Sequence, residues 1–143
     1  MSAEALLEFV DTNVLVYAHD RSAGKKHEIA KELVKRLWES RQGCLSVQVL
    51  QEFYVTVTRK VAQPIKPEEA AVLIQDLGYW RIFTPTVQDV LGAIDLQSHY
   101  QTSLWDAMVI HSAICLGCGV IWSEDLSDGQ GYHQVIVKNP FRV

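Results

Sequence analysis

The run Leu6 to Ala18, Leu-Leu-Glu-Phe-Val-Asp-Thr-Asn-Val-Leu-Val-Tyr-Ala, sets one carboxylate, Asp11, between two apolar segments. A short apolar run bounded by turn-forming polar residues reads as a buried parallel strand, and here it stops at Asp11. Thr12 and Asn13 are helix-capping residue types with a second apolar run behind them, so the chain is expected to turn from strand into helix at the carboxylate. That places Asp11 at the C-terminal edge of a strand. Ligands of open α/β sheets bind at this edge, which makes Asp11 a candidate site residue as well as a candidate helix cap.

The rest of the chain alternates in the same way. Lys25 to Arg41 carries Ile29, Leu33, Leu37 and Trp38 at helical spacing, and the helix is expected to end near Gly43. Cys44 and Leu45 suit a very short strand. Ser46 is the expected N-cap of a helix to about Lys60, with an apolar stripe of Leu50, Phe53, Tyr54, Val57 and Val61 and with Glu52 on the polar side near Gln48 and Thr56. Pro67, followed by Glu68 and Glu69, starts another helix to about Leu77, and Tyr79 to Phe83 is a candidate strand. Thr86 with Asp89, and then Ser103 with Asp106, repeat a capping spacing. The second of these opens a helix, Leu104 to Leu116, that is apolar almost all round and therefore expected to be buried, with Gly117 ending it. Val120 to Ser123 and Val135 to Val137 read as short strands joined by a polar, glycine-containing loop. Strands alternating with helices imply a parallel or mostly parallel sheet with helices on both faces. No repeat or linker divides the chain, so residues 1–143 are expected to form a single domain.

Composition narrows the class. A chain of 143 residues with 48% apolar and 21% charged residues can bury a core without disulfide or metal staples. No apolar stretch approaches a membrane span and no basic-then-apolar leader opens the chain, so a cytoplasmic protein is expected. Three cysteines without an export signal fit reduced thiols. The net charge of −4 does not suggest a nucleic-acid binder, but its distribution is uneven. Residues 1–66 carry ten Lys and Arg against eight Asp and Glu, and residues 67–143 carry three against nine. Arg21, Lys25, Lys26, Lys31, Lys35 and Arg36, with Arg59 and Lys60, could form a basic surface that tracks a phosphate backbone, or a solvated face laced with Glu28, Glu32 and Glu39.

Four acids stand at the edges of elements: Asp11 after the first strand, Glu52 in the first half of a helix, Asp106 in the first turn of the buried helix, and Asp125 just after Val120 to Ser123. If the two strands are parallel neighbours, Asp11 and Asp125 leave the same sheet edge, where the N-termini of connecting helices also lie, and all four converge. Taken singly, each has a structural explanation as a cap, a turn residue or a solvated glutamate. Together they repel one another by several kcal/mol unless a cation neutralises them. Oxygen-only ligation points to Mg²⁺ or Mn²⁺, with room left for a phosphate and a water. Thr12, Asn13 and Ser123 are placed to hydrogen-bond the ligands and hold them. No glycine-rich phosphate loop, dinucleotide fingerprint or zinc helix motif is present.

The ordered set Asp11-Thr12-Asn13, Glu52, Trp105-Asp106-Ala107 and Ser123-Glu124-Asp125-Leu126 resembles the PIN domain, and more narrowly the VapC-type toxin ribonucleases of toxin–antitoxin pairs. Asp128-Gly129-Gln130 and Asn139-Pro140-Phe141 extend the resemblance to the end of the chain. It implies a three-layer α/β sandwich around a mostly parallel sheet of about five strands, and a Mg²⁺ or Mn²⁺ site from Asp11, Glu52, Asp106 and Asp125, with Asp128 as a further acid. The implied activity is endonucleolytic cleavage of RNA by metal-activated water, leaving a 5′-phosphate and a 3′-hydroxyl. The implied partners are the RNA and a small antitoxin protein. A groove for the latter would draw on Leu37, Trp38, Tyr54 and Val57, and the oligomeric state, homodimer included, stays open.

Other readings compete. A solitary PIN nuclease would lack the antitoxin, and a non-catalytic PIN-like module would bind RNA without cutting it. An aspartyl phosphatase usually has a second Asp two residues after the first, where this chain has Asn13. Cys115 and Cys118 form a C-x-x-C, but they straddle a helix end and no second pair exists. His111, on the buried helix, is read as a satisfied core histidine.

Overall fold

The apolar run splits where the carboxylate stands: strand β1 (Glu8–Val10) ends at Asp11 and helix α1 (Thr12–His19) begins one residue later. This is seen in a computed structural model that describes residues 6–142; residues 1–5 and 143, the ends of the expected 1–143 domain, lie outside the described residues. After a 3₁₀ turn (Arg21–Ala23) come helix α2 (Lys25–Ser40), strand β2 (Gly43–Ser46) and helix α3 (Val47–Arg59). Ser46 caps α3 as expected, its hydroxyl accepting from the Val49 amide at 3.2 Å. Helix α4 (Pro67–Leu77) starts on its proline, and strand β3 (Arg81–Phe83) follows. Helices α5 (Val87–Tyr100) and α6 (Leu104–Cys115) then precede strands β4 (Val120–Trp122), β5 (Gly131–Tyr132) and β6 (Val135–Lys138). Gly117 adopts φ 78°, the left-handed conformation that turns the chain away from the end of α6.

The sheet order is β3-β2-β1-β4-β6-β5, with every pairing parallel except the last. Six strands form where about five were expected. The additional one, β5, is a two-residue strand that doubles back on β6 through His133, at φ 54°, and Gln134. A hairpin turn usually announces itself through Asn-Gly or Asp-Gly, and this one does not. The chain winds from β1 through β2 to β3 in one direction, then crosses back to β4 and β6 in the other. Right-handed crossovers therefore put α1 to α4 on one face and α5 with α6 on the opposite one. The packing agrees, since α1 lies against α2 and α3, α3 against α4, and α5 against α6.

Phe9, Val10, Leu45, Ile121, Val135 and Val137 fill the interior of the sheet, with Val14, Leu15 and Phe53 packed from one side and Ile110 and Ala113 from the other. Of the four residues expected to line an antitoxin groove, Leu37 and Val57 are core, 1% and 2% exposed, because they face the sheet side of their helices. Trp38 and Tyr54 do reach the surface, but at separate cavities. No helix among the described residues is long and apolar enough to cross a membrane.

Candidate functional site

The strand order reverses direction between β1 and β4, and the crevice at their C-terminal ends is the position where open α/β sheets bind ligands. Asp11 and Asp125 flank it. Asp11 extends the ladder by one bond, its amide donating to the Trp122 carbonyl at 2.9 Å, and then serves as N-cap of α1. Its two oxygens are held differently: Oδ1 accepts from the Thr12 amide at 2.8 Å, and Oδ2 accepts from Ser123 Oγ at 2.8 Å and from Asn13 Nδ2 at 3.4 Å. Burial, helped by the charges of Glu52 and Asp106 and opposed by the hydrogen bonds of Ser123 and Thr12, raises the Asp11 carboxyl from its usual 3.8 to about 6.

Asn13 and Ser123 tie the two strand ends together. The Asn13 amide also donates to Asp125 Oδ2 at 3.1 Å, while its oxygen accepts from the Glu124 amide at 3.0 Å. Ser123 Oγ accepts from the amides of Asp125 and Leu126 at 3.2 and 3.1 Å as it donates to Asp11. Glu52 approaches from α3: Oε2 accepts from Thr12 Oγ1 at 3.3 Å and Oε1 from Gln48 Nε2 at 2.7 Å. The same Gln48 nitrogen donates to the Trp105 carbonyl at 3.2 Å, fixing α3 against the start of α6.

Asp106 completes the set. Its amide donates to the N-cap hydroxyl of Ser103 at 3.1 Å, without the return bond from the carboxylate that Asp89 makes to Thr86. The Asp106 carboxylate is thus left to the crevice. Asp11, Glu52, Asp106 and Asp125 line one cavity of about 550 Å³, together with Lys60 and the exposed Trp105. Asp128 stands apart from it, accepting from the Asn139 amide at 2.8 Å near Arg142.

The donors fit a divalent cation. All four are hard oxygen acids, and Oε1 of Gln48 in the cavity wall is buried without a partner. The acids spread around the cavity rather than closing on a point, which suits an ion that keeps several of its waters. Among the described residues, the three ligand-type side chains that do bring their ligand atoms within 4.8 Å of one another lie elsewhere: Asp89, His111 and Cys115. Two of the eight candidate cations of the basic surface are spent in ion pairs, Lys26 with Glu124 and Arg36 with Glu8. Gln48 is legible in the sequence only as a polar neighbour of Glu52 and Lys60 only as one of the candidate cations, while the Tyr17–Glu124 bond of 2.8 Å has no sequence signal. For Gln48 the signal was its spacing, one helical turn ahead of Glu52.

The PIN domain family model matches residues 9–127. Among solved structures, the chain is similar to VapC20 of Mycobacterium tuberculosis, described as a sarcin–ricin loop cleaving toxin. The two share 21% identity over 82% of this chain and 89% of that one, with a TM-score of 0.62. A toxin–antitoxin complex from Klebsiella pneumoniae aligns at 19% identity over 95% of this chain and 99% of its counterpart, with a TM-score of 0.68. DNA-bound VapBC from Salmonella typhimurium gives 13% identity, the same coverages and a TM-score of 0.66. No curated protein sequence matches the chain. At these identities the structural likeness is one of fold.

Proposed function

Because the chain belongs to the PIN domain family, we propose that it is a divalent-metal-dependent endoribonuclease, formed as a single nuclease domain over residues 1–143, and the toxin of a type II toxin–antitoxin pair. The observation that carries this reading is the convergence of Asp11, Glu52, Asp106 and Asp125, from four separate elements, on one crevice at the topological switch of the sheet. Four acids gathered around a partly desolvated space are costly without a cation, and a cleft that concentrates them serves one. The likeness to structures described as toxins and toxin–antitoxin complexes supports the toxin role and a small antitoxin as partner. The setting is the cytoplasm.

Asp11, Glu52, Asp106 and Asp125 would hold Mg²⁺ or Mn²⁺. When bound, such an ion supplies Lewis acidity toward a phosphoryl oxygen and lowers the pKa of water. The chain's own residues do the positioning. Asn13 and Ser123 fix the carboxylates of Asp11 and Asp125, and Thr12 and Gln48 fix that of Glu52, so the acids keep their places without reorganising. Lys60 in the wall offers a positive charge to a substrate phosphate, and Trp105 at the rim offers an exposed ring face for a base. Water attacks phosphorus in line, the P–O3′ bond breaks, and the products are a 5′-phosphate and a 3′-hydroxyl.

Cleavage of RNA by the purified chain, with and without EDTA, tests the reading. Asp11→Asn and Asp106→Asn should each lower the rate by about a hundredfold or more while the fold stays intact. Asp89→Asn should leave it unchanged. Full activity in EDTA, or an equal loss in Asp89→Asn, would overturn the assignment; RNA binding without cleavage in the presence of metal would point instead to a non-catalytic module.

A further inference from the structure

The first turn of α5 and the last turns of α6 bring together three side chains that the acidic crevice does not use. His111 and Cys115 stand one helical turn apart on α6, and Asp89 faces them from the first turn of α5. Asp89 Oδ1 lies 2.9 Å from His111 Nε2, and Cys115 Sγ lies 3.3 Å from the same nitrogen. A single imidazole nitrogen carries either one proton or one lone pair. If it is protonated it serves the carboxylate and leaves the thiol facing an N–H; if it is not, the thiol is served and the carboxylate faces a lone pair. One proton serves the carboxylate well and the sulfur, a weak acceptor, only weakly, whereas one cation takes all three atoms as ligands.

The surroundings hold the groups in place. Asp89 Oδ2 is occupied by the Thr86 amide and hydroxyl at 2.8 and 3.0 Å, which aims Oδ1 at His111. The imidazole lies against the bare backbone of Gly92, where a Cβ would sit 2.7 Å from its Cε1, and Phe83 packs across it with ring centroids 6.0 Å apart. The outer partners that orient the ligands of metal sites act in this way. Cys118, the other half of the C-x-x-C, is buried in the core while Cys115 is exposed, so that motif does not act as a chelate.

We propose that Asp89 Oδ1, His111 Nε2 and Cys115 Sγ bind one Zn²⁺ ion, with solvent in the fourth position, clasping α5 to α6 on the face of the sheet away from α1 to α4. One sulfur, one imidazole nitrogen and one carboxylate oxygen match this borderline-soft ion, not Mg²⁺. Ligand atoms around tetrahedral Zn²⁺ stand roughly 3.2 to 3.6 Å apart, so the two pairs that share His111 need to open by a few tenths of an ångström, and the Asp89 and Cys115 ligand atoms lie within 4.8 Å of each other. Binding releases the thiol proton to solvent and leaves a thiolate on the metal.

The test is a Co²⁺ titration of the chelator-stripped full chain in excess Mg²⁺, which keeps the acidic crevice occupied. One Co²⁺ per chain should bind with the charge-transfer absorption of a cobalt–thiolate bond, and one equivalent of Zn²⁺ should displace it. The band should survive in Asp11→Asn, weaken by about tenfold or more in affinity in Asp89→Asn, and vanish in Cys115→Ser and Cys115→Ala. Cys115 is exposed, so its variants keep the fold. Zn²⁺ should also slow alkylation of Cys115 in the wild type. Absence of the band in wild type, its persistence in both Cys115 variants, or an alkylation rate indifferent to Zn²⁺ would overturn the proposal.

Discussion

Asp11 carries opposing demands in one carboxylate. It caps α1, closes the β1–β4 ladder and faces two other acids from a position 7% exposed, and its carboxyl rises to about 6 as a result. A raised carboxyl means that the folded chain binds a proton the unfolded chain has already lost, so wild-type stability falls as pH climbs from about 4 through about 6. In EDTA, Asp11→Asn should therefore melt about 2 to 6 °C above wild type at pH 7.5, and the gap should close as pH falls below about 4. Melting curves across pH check this, and a gap that does not change with pH would contradict it. The cap and strand-end position of Asp11 could be read from Thr12, Asn13 and the apolar runs on either side. The difference between Asp89 and Asp106 could not, because both sit three residues after a capping hydroxyl. Asp89 bends back to Thr86 and reaches His111, while Asp106 makes no return bond and faces partners from distant elements. Local spacing does not encode which of these a carboxylate does.

At the scale of elements, the ion pair between Glu8 and Arg36 joins β1 to α2 in a way the sequence concealed. Glu8 lies within an apolar strand and is 6% exposed, and it accepts from Arg36 Nη1 and Nη2 at 2.9 and 2.8 Å and from Trp122 Nε1 at 2.9 Å. The Arg36 bonds, with Trp122 assisting, hold its carboxyl below the usual range despite burial. For a lowered carboxyl the stabilisation is present above the unfolded-state pKa and is lost as pH falls through the folded one. Glu8→Gln should accordingly cost about 1 to 2 kcal/mol at pH 7, discounted for the half-exposed guanidinium, and progressively less as the pH is lowered below the usual glutamate range. Chemical denaturation at pH 7 and through a series of acidic pH values measures it, and equal stability at pH 7 would contradict it. In the sequence Arg36 falls among the candidate surface cations, because i,i+4 patterning shows which face a cation occupies but not which acid lies beneath it. Helix starts were legible wherever a capping residue or proline marked them, as at Ser46, Pro67, Thr86 and Ser103. β5 was not, since two residues paired through His133 carry neither alternation nor a turn signal.

For the molecule as a whole, the sheet order makes the site. β1 lies between β2 and β4 with all three parallel, so the residues that follow β1 and β4 leave the sheet side by side, and the starts of α1 and α6 open onto the same crevice. The alternating elements made a parallel sheet legible, but the adjacency of β1 and β4 entered only as a condition, because more than 100 residues separate them. The central claim is that Asp11, Glu52, Asp106 and Asp125 form one divalent-metal site. The shift in melting temperature on adding Mg²⁺, which a thiolate–imidazole site does not favour, tests it most directly in wild type and in Asp11→Asn, Glu52→Gln, Asp106→Asn and Asp125→Asn. At ten to a hundred times Kd, linkage supplies roughly 1.4 to 2.7 kcal/mol, so wild type should rise by about 4 to 10 °C. Each variant should rise by much less. Equal shifts in all five proteins would mean that the four carboxylates do not act as one site, and the proposed nuclease mechanism would fall with them.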